Sequence, residues 1–205
     1  MSSNKQEIKN RLLDALPQLQ CRKCTYKDCE SYADAITNKG ESLDKCEPGS
    51  KKTQKQLFMI MQGSKDKVEL NTIKKYSIAE IKHEDCIGCT ICIKICPVDA
   101  IIGARHKIHF IINDQCNGCE LCITECPVDC MKMVTNANEE SWHWPSKKTD
   151  LSMDNYNNKK LRLDNQKKEK VLARERLASD TRMKSYIEAA LLREEIKHKK
   201  IKEYE

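Results

Sequence analysis

Cys86, Cys89, Cys92 and Cys96-Pro97 follow the spacing C-x2-C-x2-C-x3-C-P, and Cys116, Cys119, Cys122 and Cys126-Pro127 repeat it thirty residues later. Thiolates are soft, charged ligands, and four of them in this order hold a 4Fe-4S cube, whose chemistry is one-electron transfer. A cube has four irons and needs ligands from all sides, so one tight loop supplies three and the fourth comes from elsewhere. In this pattern the fourth cysteine serves the other cluster. The expected ligand sets are therefore Cys86, Cys89, Cys92 and Cys126 for one cube, and Cys96, Cys116, Cys119 and Cys122 for its mate. The repeat extends past the cysteines, matching Gly88 with Gly118, Ile93 with Ile123, and Val98-Asp99 with Val128-Asp129. Glycine between the first two cysteines lets the backbone take positive φ and turn amide N–H groups toward the sulfurs.

A third group, Cys21, Cys24, Cys29 and Cys46, has the spacing C-x2-C-x4-C-x16-C. Spacing alone leaves a third cube and a structural zinc both open here. At the two repeats zinc is disfavoured, because its sites use paired cysteines or cysteines with histidines, without a third Cys two residues on and a Cys-Pro after it. Disulfides need an oxidising compartment, whereas the chain opens Met1-Ser2-Ser3-Asn4-Lys5 with no apolar signal region, so a reduced, cytoplasmic setting is expected. Cys130, the thirteenth cysteine, reads as a small buried residue. His83, His106, His109, His143 and His198 do not pair with cysteines at ligand spacing, and no nucleophile motif, phosphate loop or dinucleotide fingerprint is present, so no catalytic residues are assigned.

Residues from about Tyr76 to Val134 resemble the bacterial two-cluster ferredoxin. Over roughly residues 10 to 134 the likeness is narrower. The order of all twelve cysteines, the flanking Leu12-Leu13-Asp14-Ala15-Leu16-Pro17-Gln18 and Tyr32-Ala33-Asp34-Ala35-Ile36, and the run Cys126-Pro127-Val128-Asp129-Cys130 resemble the B subunit of the Rnf/Rsx electron-transport complex. That resemblance implies an α+β fold: a ferredoxin-like domain of two β-α-β halves behind a small helical four-cysteine domain, with three 4Fe-4S clusters in all. It also implies single electrons relayed between a redox-protein donor and acceptor, with the chain placed at a membrane complex. Two departures stand out. Where the family has glycines around its first cysteines, this chain has Arg22, Thr25 and Lys27-Asp28. Family members open with a membrane-spanning helix, yet the residues before Cys21 include Lys5, Glu7, Lys9, Arg11 and Asp14, and a span needs about twenty mainly apolar residues. The expectation is thus a soluble variant, peripheral at the inner membrane where it joins a complex.

The positioning elements read as follows. Residues 1–50 form the four-cysteine domain. Residues 51–75 are a linker whose Thr53–Met61 stretch makes a short helix stopped at Gly63. Residues 76–135 are the two-cluster domain, with Ile78–Ile81 and Lys107–Ile112 as strands before each loop and short helices just past Pro97 and Pro127, capped by Asp99 and Asp129. Residues 136–205 comprise an irregular aromatic segment around Trp142-His143-Trp144-Pro145, folding back over the ferredoxin part, and a basic helical tail, the whole expected to be partly disordered. The tail helices span Lys159–Ala178 and Arg182–Tyr204, separated by Ser179-Asp180-Thr181. Each cluster domain is too small to rely on a hydrophobic core, so clusters act as staples.

Charge is unevenly spread. The chain carries a net charge of +6, and seventeen basic and eleven acidic residues from Ser146 onward account for all of it. A cube with four thiolates has a net charge near −2, so three offset it by about −6 and leave an acidic cluster end and a basic tail. An acidic face steers toward basic patches on redox partners. Mixed signs in the tail and no aromatic platform disfavour nucleic acid. The alternatives from other classes are a metal-dependent interaction module with zinc at its N-terminal site, and the electron-feeding subunit of a larger oxidoreductase.

Overall fold

The computed structural model describes residues 2–73, 75–136, 141–179 and 181–202. The chain divides into two compact units, Met1–Lys159 and Lys160–Glu205.

The first unit opens with three helices. α1 (Ser2–Asp14), α2 (Cys29–Lys39) and α3 (Ser50–Met61) meet around Leu12, Ala15, Leu16, Tyr32, Ala33, Ile36, Leu57 and Ile60. The α2 start is fixed by Asp28, whose carboxylate accepts the Ser31 N–H at 2.7 Å, and its end by left-handed Gly40. The expected linker helix is α3, which starts earlier, at Ser50, and completes the N-terminal core. Gly63 follows it with φ +84°.

The ferredoxin part is built of two antiparallel strand pairs. β2 (Ser77–Ile81) pairs with β5 (Met131–Thr135), Ser77 opposite Thr135, and β3 (Ile101–Ile102) pairs with β4 (Phe110–Ile111). A thirty-residue shift carries β2 onto the β4 region and β3 onto the start of β5, so the pairs exchange as a pseudo-twofold requires. Only Phe110 and Ile111 of the expected Lys107–Ile112 strand are extended in a ladder. The short helices lie before the prolines rather than after them: α4 (Ile91–Ile95) and α5 (Leu121–Thr124) each carry the third cysteine of their loop. The Cys96 N–H closes α4 on the Cys92 carbonyl at 3.0 Å, and Pro97 then turns the chain away. Asp99 and Asp129, at φ +53° and +50°, are left-handed turn residues and cap nothing.

The aromatic segment is also more regular than expected. β6 (Trp142–Trp144) pairs antiparallel with β1 (Asn71–Ile73), Trp142 opposite Ile73. Trp142 stacks against Tyr76 at 5.3 Å, while the Trp142 and Trp144 indole N–H groups donate to the carbonyls of Pro17 (2.9 Å) and Ala15 (3.1 Å). This strand therefore joins the helical part to the ferredoxin part, each indole burying its rings while satisfying its one donor. Ala137 and Asn138 lie outside the described residues.

Helix α6 (Lys147–Ser179) begins twelve residues before the expected tail helix. Thr149, Ser152, Tyr156 and Lys159 recur at helical spacing on its buried side, a polar stripe that hydrophobic periodicity does not reveal. In the second unit, α6 gives way to α7 (Thr181–Lys202), and every described side chain of that unit is exposed, including Ile187 and Leu191. Asp180 and Tyr204 lie outside the described residues. No described helix is long and apolar enough to cross a membrane.

Candidate metal centres

None of the thirteen cysteines is in a disulfide. Cys21, Cys24, Cys29 and Cys46 line one cavity together with Leu16, Leu19, Tyr32 and Pro48. Cys29 is the first residue of α2, and its N–H donates to the Gln20 side-chain oxygen at 2.8 Å; burial outweighs the helix dipole there and pushes its thiol well up. The loop wraps through left-handed residues that are not glycine: Gln18, Gln20, Arg22 and Thr25 have φ between +55° and +71°. The missing family glycines therefore do not straighten the loop; side chains stand in positions that glycine would occupy without strain.

The two repeats exchange their fourth cysteines in space. Cys96, Cys116, Cys119 and Cys122 share one cavity walled by Ala79, Val98, Ile101, Ile111 and Met133. The Ala79 N–H donates to Cys116 Sγ at 3.5 Å and the Ala100 N–H to Cys96 Sγ at 3.3 Å. Cys92 lies within electrostatic reach of Cys89, Cys86 and Cys126. Gly88 and Gly118 take φ +68° and +69°, and a Cβ on Gly118 would lie 2.5 Å from the Ser77 carbonyl, so the turn needs both the conformation and the space.

Burial pushes Cys46 and Cys122 up to about 12 and Cys92 up to about 11, with neighbouring thiols adding to the effect, because a thiolate there loses its water and needs a positive charge to balance it. A bound metal would supply that charge. Among the described residues no three His, Cys, Asp or Glu side chains converge on a single ion. A cube takes four thiolates spread around its volume, whereas a mononuclear zinc draws all its sulfurs to about 2.3 Å from one ion.

Four other residues contact these groups, and the sequence does not mark them as functional. His109, 1% exposed, places Nδ1 3.3 Å from Cys92 Sγ and 3.8 Å from Cys86 Sγ. Cys130 is buried, as expected, and its thiol lies 3.4 Å from Cys126 Sγ. Asn117, 1% exposed, donates to the Leu19 carbonyl and to Ser152 Oγ, both at 3.0 Å, tying the Cys116 loop to the N-terminal site. Lys159 donates to the carbonyls of Ile93 (3.3 Å), Lys94 (3.0 Å) and Cys96, and pairs with Asp99 at 3.2 Å. The signal for two of them lies in the repeat itself, where Ala79 stands for His109 and exposed Ile87 for buried Asn117.

Comparison with known proteins agrees with this arrangement. Residues 79–133 match the family described as a 4Fe-4S dicluster domain, and residues 16–48 match one described as a putative Fe-S cluster. The chain is thus an iron–sulfur protein of the electron-transfer kind. The B subunit of the ion-translocating oxidoreductase complex from Shewanella oneidensis is 45% identical over 67% of this chain and 72% of its own length. Its counterpart from Vibrio campbellii is 46% identical over 67% of this chain and 70% of its own, and that from Vibrio cholerae 47% over 63% and 67%. The chain belongs to the family of ion-translocating oxidoreductase complex B subunits, the family its cysteine order resembles.

Proposed function

We propose that this chain is a three-cluster relay that passes single electrons between protein partners of a membrane ion-translocating oxidoreductase complex. The observation that carries the proposal is the grouping of the cysteines in fours, two of the groups each lining one cavity. Cys21, Cys24, Cys29 and Cys46 would hold the first cluster, Cys96, Cys116, Cys119 and Cys122 the second, and Cys86, Cys89, Cys92 and Cys126 the third. When bound, each 4Fe-4S group supplies a one-electron couple.

The protein contributes order and spacing. Asn117 and Leu19 bring the N-terminal site against the Cys116 loop, and Cys122 lies within electrostatic reach of both Cys96 and Cys92. The relay is then linear, with the Cys116 group in the middle. Apolar walls keep water from the thiols of the middle group, and backbone N–H groups aimed at sulfur set its electronics. Lys23 pairs with Glu47 at 3.2 Å and Glu120 at 3.1 Å, spanning the same junction beside the first and second groups.

Iron, acid-labile sulfide and zinc, assayed on one anaerobically prepared sample with an electron paramagnetic resonance (EPR) spectrum after reduction, test the proposal. About twelve irons with magnetically interacting reduced clusters support it. About eight irons with one zinc would make the N-terminal site structural and refute the three-cluster relay.

A further inference from the structure

The thirty-residue repeat gives each cube the same ligands but different neighbours. At the position seven residues before the first cysteine of each loop, the first half has Ala79 and the second has His109. The pseudo-twofold sends each of these residues to the other half's thiols: Ala79 lies over Cys116, and His109 over Cys92 and Cys86.

Space for the imidazole comes from a glycine in the facing backbone. Gly103, at φ +152°, lies so close that a Cβ there would sit 2.4 Å from His109 Cδ2. Its counterpart thirty residues on is Met133, which helps wall the cavity of the mate cube. The ring itself is buried, and its Nε2 has no hydrogen-bond partner among the described residues. A neutral imidazole carries one N–H, and the sulfurs that face Nδ1 can only accept once they are thiolates. The proton therefore belongs on Nδ1, leaving Nε2 as the unused acceptor.

We infer that His109 donates an Nδ1–H hydrogen bond to the thiolate of Cys92, and more weakly to Cys86, and so raises the reduction potential of the cluster held by Cys86, Cys89, Cys92 and Cys126. This rests on the three-cluster reading above. Reduction adds one negative charge that spreads onto the sulfurs, so a donor fixed against them stabilises the reduced form more than the oxidised one. The mate cube has a backbone N–H and a methyl group at the equivalent place. His109 is in this sense a positioning residue: it ligates no iron, and it makes two otherwise similar cubes unequal.

The test uses the full-length, iron-loaded chain. His109→Leu fills the space without a donor. Potentiometric titration followed by EPR is expected to show one ferredoxin-type midpoint lowered by about 59 mV, a tenfold change in a one-electron equilibrium, with the others unmoved. An iron-replete variant with no midpoint moved overturns the inference. Where the variant fails to hold iron, wild-type protein grown on 15N-histidine decides: pulsed EPR shows a 15N coupling at one reduced cube if the hydrogen bond exists, and its absence overturns the inference. Wild-type protein lacking the expected iron refutes the relay reading instead, and the wild-type iron assay separates the two failures.

Discussion

Replacing Lys159 with methionine tests how the ferredoxin part depends on a residue that the sequence places in its tail. The ammonium supplies protons to three carbonyls at the end of α4 and to Asp99. The Ile93 carbonyl cannot be served by the next turn, because its helical partner would be Pro97, which has no N–H to give. Methionine keeps the apolar stem and nearly the volume, so a cavity contributes little. Removing one partner of a fully buried pair costs about 3–5 kcal/mol. Here the Lys159 side chain is 8% exposed but that of Asp99 is 36%, so water takes over part of the carboxylate's needs and about 2–3 kcal/mol is expected. Cluster proteins rarely unfold reversibly, so the quantity to measure is the rate of iron loss to a chelator in mild urea. If iron leaves through opening of the Cys96 turn, a loss of about 2 kcal/mol speeds release about thirtyfold. Asp99→Asn should act in the same direction but more weakly, since the lysine keeps its carbonyls. A Lys159→Met rate within twofold of the parent would refute the reasoning and leave the contact as incidental packing.

Two further outcomes are expected. Thr25, a β-branched residue at φ +71°, carries a strain of about 1–2 kcal/mol that glycine relieves, less about 0.5–1 kcal/mol for the freer unfolded chain; Thr25→Gly should therefore raise the thermal midpoint slightly, and a fall would show that the side chain makes stabilising contacts. In the iron-free chain, Cys46 and Cys122 are pushed up to about 12 by burial, above the ordinary thiol value near 8.5. Their folded form favours the protonated thiol, so the stability they contribute is present below about pH 8.5 and is lost as pH rises toward 12, and the urea midpoint of iron-free protein should fall steadily across that window. A flat profile would show that these thiols are already exposed when iron is absent.

The cysteine spacing is legible directly because it is a property of ligand chemistry, and so is the alternating strand around Ile78. The helices beside the prolines are not, because the preference of proline for a first helical turn points the wrong way where Cys96-Pro97 and Cys126-Pro127 follow a helix that carries the third cysteine. The docked start of α6 escapes sequence reading for another reason. Its buried face is Thr149, Ser152, Tyr156 and Lys159, and three of these are held by hydrogen bonds to distant partners: Ser152 to the Gln18 carbonyl, Tyr156 to the Asp28 carboxylate, Lys159 to the α4 carbonyls. Partners of that kind lie more than sixty residues away in sequence, and no local period reports them.

The repeat offers a better guide than periodicity for such cases. Where the halves agree, as at Gly88 and Gly118 or Asp99 and Asp129, the residues serve the turn that both loops share. Where they disagree at a buried place, the fold is asymmetric. Ile87 is 56% exposed while its counterpart Asn117 is buried, since only the second loop faces the N-terminal site and must supply a donor to Leu19. Ala79 and His109 differ in the same way, as do Ala100 and Cys130, and both of the larger residues fall against the same cube, beside Cys92 and Cys126. A duplicated ferredoxin that kept two equal cubes would offer an electron no preferred place between them. The divergence of this repeat at those positions sets a histidine and a further thiol against the sulfurs of Cys86, Cys92 and Cys126, where the mate group has two alanines, and on the relay proposed above that asymmetry would fix the order in which the clusters carry an electron.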